Sequence, residues 1–178
     1  HITSIIHSNI LATLNDKAKK KWDENYASCL SNYPSPAEVL CINQHLLPKQ
    51  GTALDLACGR GANAICLAEN GLSVSAWDIS ASALKHLSDE ALKKNLKIKF
   101  ESRNIFDEPP APDSFNVITV SHFLDRGLID DIKNAIKKEG LIFYQTFIIS
   151  KVNDTGPSNP DYLLKKNELL NLFNDLNI

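Results

Sequence analysis

The residues best placed to do chemistry lie in one short segment, Asp55-Leu56-Ala57-Cys58-Gly59-Arg60-Gly61. Glycines at 59 and 61 let a backbone turn sharply and approach a ligand closely. A helix beginning just after them offers unpaired N–H groups in its first turn. Asp78 stands 19 residues beyond Gly59, at the end of a second apolar run. A carboxylate there can accept both hydroxyls of a ribose. Taken alone, such a loop is an ordinary turn and such an aspartate an ordinary helix cap. Together, at this spacing, they point to a nucleotide-bearing ligand.

Two cofactor classes satisfy the pair. Gly59-x-Gly61-x-x-Ala64 meets a loose dinucleotide fingerprint. Asp55 argues the other way. Its carboxylate, four residues before Gly59, would repel a pyrophosphate but attract the cationic amino group of a methionine moiety. Asn104 to Asp107, after a third strand, offers polar atoms to an adenine edge. S-adenosylmethionine is therefore the expected cofactor, with a nicotinamide-dependent oxidoreductase as the rival.

These residues need a scaffold, and the chain reads as strands alternating with helices. A helical pattern over 2–14 continues through 17–27, which carries Trp22 and Tyr26, and breaks at 31–36. A helix over 37–47 ends at Pro48. Strands are predicted at 52–57, 72–77, 96–101, 115–120 and 141–149. Helices are predicted at 62–70, stopped by Gly71, at 80–94, capped by Ser80, at 128–138 and at 165–176. Proline-rich or Gly/Pro/Asn-rich loops fill 107–113 and 152–161. This alternation predicts an α/β, Rossmann-like, mostly parallel sheet with helices on both faces. One domain is expected over 1–178. It comprises an N-terminal helical segment (1–48), a cofactor-binding core (51–149) and a C-terminal loop and helix (150–178). Ligands of such sheets sit beyond the carboxyl ends of the strands, where strand order reverses.

The segment ALDLACGRGANAICLAENG (53–71) resembles motif I of the class I S-adenosylmethionine-dependent methyltransferases, and WDIS (77–80) is similar to their acidic second-strand motif. Further pieces resemble the tellurite-resistance-protein-like group of that family: WDENY (22–26) followed by PSP (34–36), SHFLDR (121–126), YQTF (144–147) and GPSNPDYLLKKNELL (156–170). The resemblance implies that Asp55, Ala57, Gly59 and Gly61 line the methionine part of the cofactor. It implies further that Asp78 and Ile79 hold the ribose side, that Asn104 and Ile105 flank the adenine, and that Ser121 lies beneath the sulfonium. There are departures. Ala57 stands where many members carry Gly, and Asn104 where Asp is common. Asp125 and Gly127 replace the His and Pro often found around Arg126. The resemblance also implies a strand order of 3-2-1-4-5-7-6. Only five strands are predicted here, so the closing hairpin is expected to be missing from this chain, leaving 141–149 as a long apolar edge.

The chemistry so implied is in-line methyl transfer, with S-adenosylhomocysteine as product. Alignment alone supplies roughly 7–11 kcal/mol of such a barrier. His122, just after the fourth strand, is the candidate base, and Arg126 the candidate clamp for an anionic acceptor. No Asn/Asp-Pro-Pro-Tyr/Phe motif follows that strand, which disfavours methylation of nucleic-acid bases. The expected substrate is a small molecule, possible acceptors being a chalcogen oxyanion or a thiol. A binding protein that uses the cofactor to regulate or scaffold is the rival from another class.

Composition agrees with this reading. The chain has 178 residues, 43% of them hydrophobic and 22% charged, with a formal net charge of −2. That balance does not suit a nucleic-acid partner. The basic run Lys17 to Lys21 reads as a solvated helix face. Cys29, Cys41, Cys58 and Cys66 form no metal-binding spacing, so no metal is expected. There is no signal-like start and no run near the roughly 18 apolar residues of a membrane span. A cytoplasmic protein without a membrane partner is expected. The chain starts at His1 and contains no Met, so its natural first residues are expected to be missing. Its oligomeric state is not legible.

Overall fold

The structure, a computed structural model, describes residues 2–28, 32–150 and 155–177, with residues 2–14 described by backbone alone. Cys29, Ser31 and residues 152–154 of the expected loop lie outside the described residues.

Helix α1 (Ile2–Ala27) joins the two helical stretches read from the sequence into one. Helix α2 (Glu38–Ile42) and a 3₁₀ turn (Gln44–Leu46) then lead to the sheet. The sheet is all parallel, in the order β3-β2-β1-β4-β5. Its strands are β1 (Thr52–Leu56), β2 (Ser73–Asp78), β3 (Ile98–Ser102), β4 (Phe115–Ser121) and β5 (Ile136–Gln145). Helices α3 (Ala62–Glu69), α4 (Ala81–Lys93) and α5 (Ile129–Ala135) make the crossovers. A short α6 (Glu168–Leu172) closes the C-terminal region.

Strands β1 and β4 are central and covered on both faces, as their near-continuous apolar sequences require. One face packs Leu54, Leu56, Trp77, Ile118 and Val120 against α5 and the α6 region, where Ile132 and Phe173 lie. The other packs Ala53, Val74, Ala76 and Val117 against α3 and α4 through Leu67, Leu84 and Leu87. Ser80 caps α4 as expected, its hydroxyl accepting from the Ala83 N–H at 3.1 Å.

Three expected elements have other boundaries. The fifth helix does not reach Lys138, because Ile136 already pairs with Phe115 in the sheet. The next pair is Val117 with Leu141, so Lys137 to Gly140 bulge outward. Lys137, Lys138 and Glu139 fall in this register shift without partners in β4, and Glu139 turns the chain at φ 63°. Strand β5 then ends at Gln145, not Ile149. Beyond it the backbone turns toward the C-terminal region. Ile148 bridges Leu164, the Leu164 N–H donates to the Phe147 carbonyl at 2.9 Å, and the Ile149 N–H to the Leu164 carbonyl at 2.9 Å. Helix α6 is also shorter than the predicted 165–176, since Asn167 is left-handed (φ 61°) and begins it late.

Candidate functional site

A parallel sheet places every strand's carboxyl end along one edge. Here β1 is flanked by β2 and β4, with Leu56 level with Trp77 on one side and Val120 on the other. The order reverses at this point, so the loops after β1, β2 and β4 face one cleft. The loop after β3 adjoins them.

The loop after β1 is held by hydrogen bonds within the chain. The Cys58 N–H donates to the Trp77 carbonyl at 2.9 Å and the Gly61 N–H to the Cys58 carbonyl at 2.8 Å. The Gly59 N–H donates to Asp78 Oδ2 at 2.7 Å, and the Ser80 N–H to Asp78 Oδ1 at 2.8 Å. The two motifs found 19 residues apart are thus joined directly. Ala57 is left-handed, with φ 52°. That conformation favours glycine, which accounts physically for Gly at this position in the family's pattern.

Three expected contacts are corrected. Asp55 does not line a ligand surface. It is fully buried, its Oδ1 accepting from Thr119 Oγ1 at 3.0 Å and Asn63 Nδ2 at 3.4 Å, its Oδ2 from the Ala64 N–H at 3.0 Å. It organises the loop and the start of α3 from behind. Gly61 faces the core, because a Cβ there would meet Leu87 Cδ1 at 2.5 Å. Arg126 is not a free clamp. Its guanidinium donates to Glu168 Oε1 at 2.6 Å and Oε2 at 3.1 Å, and to the carbonyls of Asp161 at 2.6 Å and Leu163 at 3.1 Å. It fastens the C-terminal segment to the loop after β4.

That latch has a checkable signature. The Arg126 guanidinium, with the Lys165 N–H, pulls the Glu168 carboxyl down to about 2. A depressed carboxylate stabilises the fold at pH above its unfolded value of roughly 4.3 and loses that contribution as pH falls through 2. An NMR titration is expected to place Glu168 near 2 in the native chain and near 4 in Arg126→Ala. A native value near 4 would remove the latch.

The remaining positions lie along the cleft edge. Ile79 is half-buried beside Asp78, its carbonyl accepting from Ser102 Oγ at 3.4 Å. Asn104 orders the loop after β3, donating to Asp107 Oδ2 at 2.6 Å and accepting from the Phe106 N–H at 3.2 Å. Ile105 is buried in the core. Ser121 Oγ accepts from Asn63 Nδ2 at 2.9 Å. His122 is exposed and left-handed (φ 55°), its ring 5.2 Å from that of Phe147.

Sequence reasoning missed Asn63, which links three parts of the site. Its amide donates to Asp55 and Ser121, and its Oδ1 accepts from the Ala37 N–H at 2.8 Å. The signal was present: a single amide inside the otherwise buried apolar run of α3. Tyr33 was missed as well. It donates to the Arg60 carbonyl, closing the outer side of the β1 loop.

Three carboxyl groups gather around the β1 loop. Burial pushes the Asp55 carboxyl up to about 7 against the bonds from Thr119, Asn63 and Ala64. Burial also raises Asp78, and the charge of Asp23 adds to it. Asp23, Asp55 and Asp78 are held by hydroxyls, amides and backbone N–H groups. Asp23 and Asp78, at the edge of the β1 loop, suit a cationic ligand better than a pyrophosphate. Gly59 lies flush under the cleft, where any Cβ would meet Tyr26 Oη at 2.6 Å. The residues present therefore fit S-adenosylmethionine. Among the described residues no cluster could hold a metal ion, and no helix is long and apolar enough to cross a membrane.

Comparisons with known proteins agree. Residues 53–140 match the methyltransferase domain family. A ubiquinone biosynthesis O-methyltransferase of Coxiella burnetii is 25% identical over 141 residues, covering 76% of this chain and 60% of that protein. The chain thus spans about 60% of the length of the curated relatives it matches. TehB from Haemophilus influenzae superposes with a TM-score of 0.66 at 20% identity, over 86% of this chain and 55% of that one. A SAM-dependent methyltransferase from Aquifex aeolicus does so at 0.62 and 17%, over 78% of each chain. By its matched domain, its motifs and its strand order, the chain is similar to the class I S-adenosylmethionine-dependent methyltransferases.

Proposed function

We propose that the chain transfers the methyl group of S-adenosylmethionine to a small-molecule acceptor and releases S-adenosylhomocysteine. The observation that supports this reading best is the glycine loop joined to Asp78 by the Gly59 N–H, with Asp23 beside it on Ser80. When bound, the cofactor would supply a methyl carbon made electrophilic by its sulfonium. The chain's part is alignment. Asp78 would accept from the ribose hydroxyls, and the β1 loop would carry the methionine end. Asn104 would flank the adenine, with Ile105 beneath it in the core and Ser121 beneath the sulfur.

The bound cofactor would offer that methyl carbon to the acceptor's lone pair, and its sulfur would keep the electron pair of the broken carbon–sulfur bond. A hydroxyl or thiol acceptor then gives its proton to His122 or to water. Arg126 is committed to Glu168, which weighs against a chalcogen oxyanion needing that cation. The exposed His122 beside Phe147 suits a hydroxyl or thiol on an apolar body, in keeping with the O-methyltransferase named among the relatives.

Calorimetry tests the cofactor side. S-adenosylhomocysteine is expected to bind, NADH is not, and Asp78→Ala is expected to weaken the former by about 10- to 100-fold. Unchanged affinity in the variant would remove the ribose assignment, and binding of NADH alone would overturn the function. A homocysteine-release screen over phenols, thiols and oxyanions then finds the acceptor.

A further inference from the structure

Helix α1 crosses the carboxyl edge of the sheet and touches three of the cofactor loops in turn. Asn15 Nδ2 donates to Asp107 Oδ2 at 3.2 Å, the same oxygen that takes Asn104 Nδ2. Two turns further on, Asp23 Oδ1 accepts from Ser80 Oγ at 2.7 Å and from the Ser82 N–H at 3.1 Å. Tyr26 follows. Its hydroxyl lies over Gly59, and its carbonyl is 3.0 Å from His86 Nε2 of α4. From Asn15 to Tyr26 a helix rises about 16 Å, and neighbouring strands are about 4.8 Å apart. That reach covers β3, β2 and β1.

The way α1 is held matters as much as where it lies. No side chain described between Asn15 and Ser28 is buried. Trp22, 43% exposed, stacks on Tyr26 with ring centroids 5.8 Å apart. Over residues 15–28, a segment held by exposed and part-buried polar contacts with no buried apolar side chain opens locally at low cost. Yet the side chains of Asn15, Asp23 and Tyr26 meet the loops that the cofactor reading uses, Asn104–Asp107, Asp78–Ser80 and Gly59 in turn.

We propose that residues 15–27 form a strap across the cofactor site, which lifts to admit the cofactor and encloses it on docking. Asp23 is the positioning residue that ties the strap to the β2 loop, and Tyr26 is the side chain laid over the methionine end. This rests on the S-adenosylmethionine reading above. By linkage, whatever the docked strap adds to cofactor affinity the cofactor returns to docking.

Limited trypsinolysis of the full chain, with S-adenosylhomocysteine as the probe, tests it. Lys17, Lys19, Lys20 and Lys21 are exposed on α1, and cleavage there tracks the opened population. Saturating probe is expected to slow cutting at these lysines by about 10-fold. Asp23→Ala is expected to speed cutting without the probe by about 5-fold, and to raise the probe's dissociation rate in stopped flow by about 10-fold. Asp23→Asn keeps one acceptor and is expected to fall between. Probe that binds by calorimetry but leaves cutting unchanged overturns the strap while sparing the cofactor reading. Faster cutting in Asp23→Ala with an unaltered dissociation rate would make Asp23 merely structural and also overturn it. A chain that binds no probe overturns the strap and the reading beneath it together.

Discussion

Gly61→Val is expected to destabilise the fold by about 3–5 kcal/mol and to abolish binding of S-adenosylhomocysteine. Gly61 is left-handed, at φ 75°. A residue with a Cβ costs roughly 1–2 kcal/mol there, and a branched one more. The added Cβ would lie 2.5 Å from both Leu87 methyls. Leu87 is fully buried, and forcing a close-packed core apart costs roughly 1–3 kcal/mol. The sequence alone suggests instead that valine would fill the ligand's space and spare the fold. The structure moves the clash into the core beneath α4. Binding is lost by a different route. Gly61 caps α3, and its N–H closes the loop onto the Cys58 carbonyl. Displacing it shifts Gly59 away from Asp78. Urea unfolding measures the first effect and calorimetry the second. Gly61→Ala should show the same losses in smaller degree. A valine variant with native stability would show that Leu87 yields freely and that the core argument is wrong.

The cofactor loop is legible in the sequence because its chemistry is local. A glycine pair, a strand end and a second strand end fix Gly59 and Asp78 within one βαβ unit, and the structure joins them by a single hydrogen bond. Strands β1, β2 and β4 are legible for a similar reason, each being an apolar run bounded by turns. What fails depends on the third dimension. Asp55 reads as a ligand contact because it stands four residues before Gly59, at the end of the first strand. Its side chain points inward instead, toward Thr119 and Asn63, 64 and 8 residues away. Arg126 reads as an anion clamp, but its partner is 42 residues on, in a segment whose packing no periodicity announces. The bulge at 137–140 is hidden because Ile136 belongs equally to a helical pattern and to the strand it joins.

Asp55→Asn is expected to flatten the dependence of stability on pH between about 4 and 7. Asp55 is fully buried, and that burial holds its folded carboxyl at about 7, against roughly 3.9 when unfolded. Below pH 4 the group is neutral in both states and imposes no penalty. Between those values the native chain keeps a proton that the unfolded chain releases, so stability falls as pH rises. Above 7 the buried charge is fully present, at a cost on the order of 4 kcal/mol. Asparagine has no such proton to lose. It keeps one acceptor for the Ala64 N–H or the Thr119 hydroxyl, but not both, a loss of roughly 1–3 kcal/mol at every pH. The variant should therefore be the less stable form at pH 4 and should gain steadily on the native chain up to pH 7. Urea unfolding of both forms at unit steps from pH 4 to 8 reads the difference directly, and contributions from other carboxylates largely cancel within it. Parallel curves would mean that Asp55 is ionised throughout, its charge carried by the Thr119, Asn63 and Ala64 donors alone.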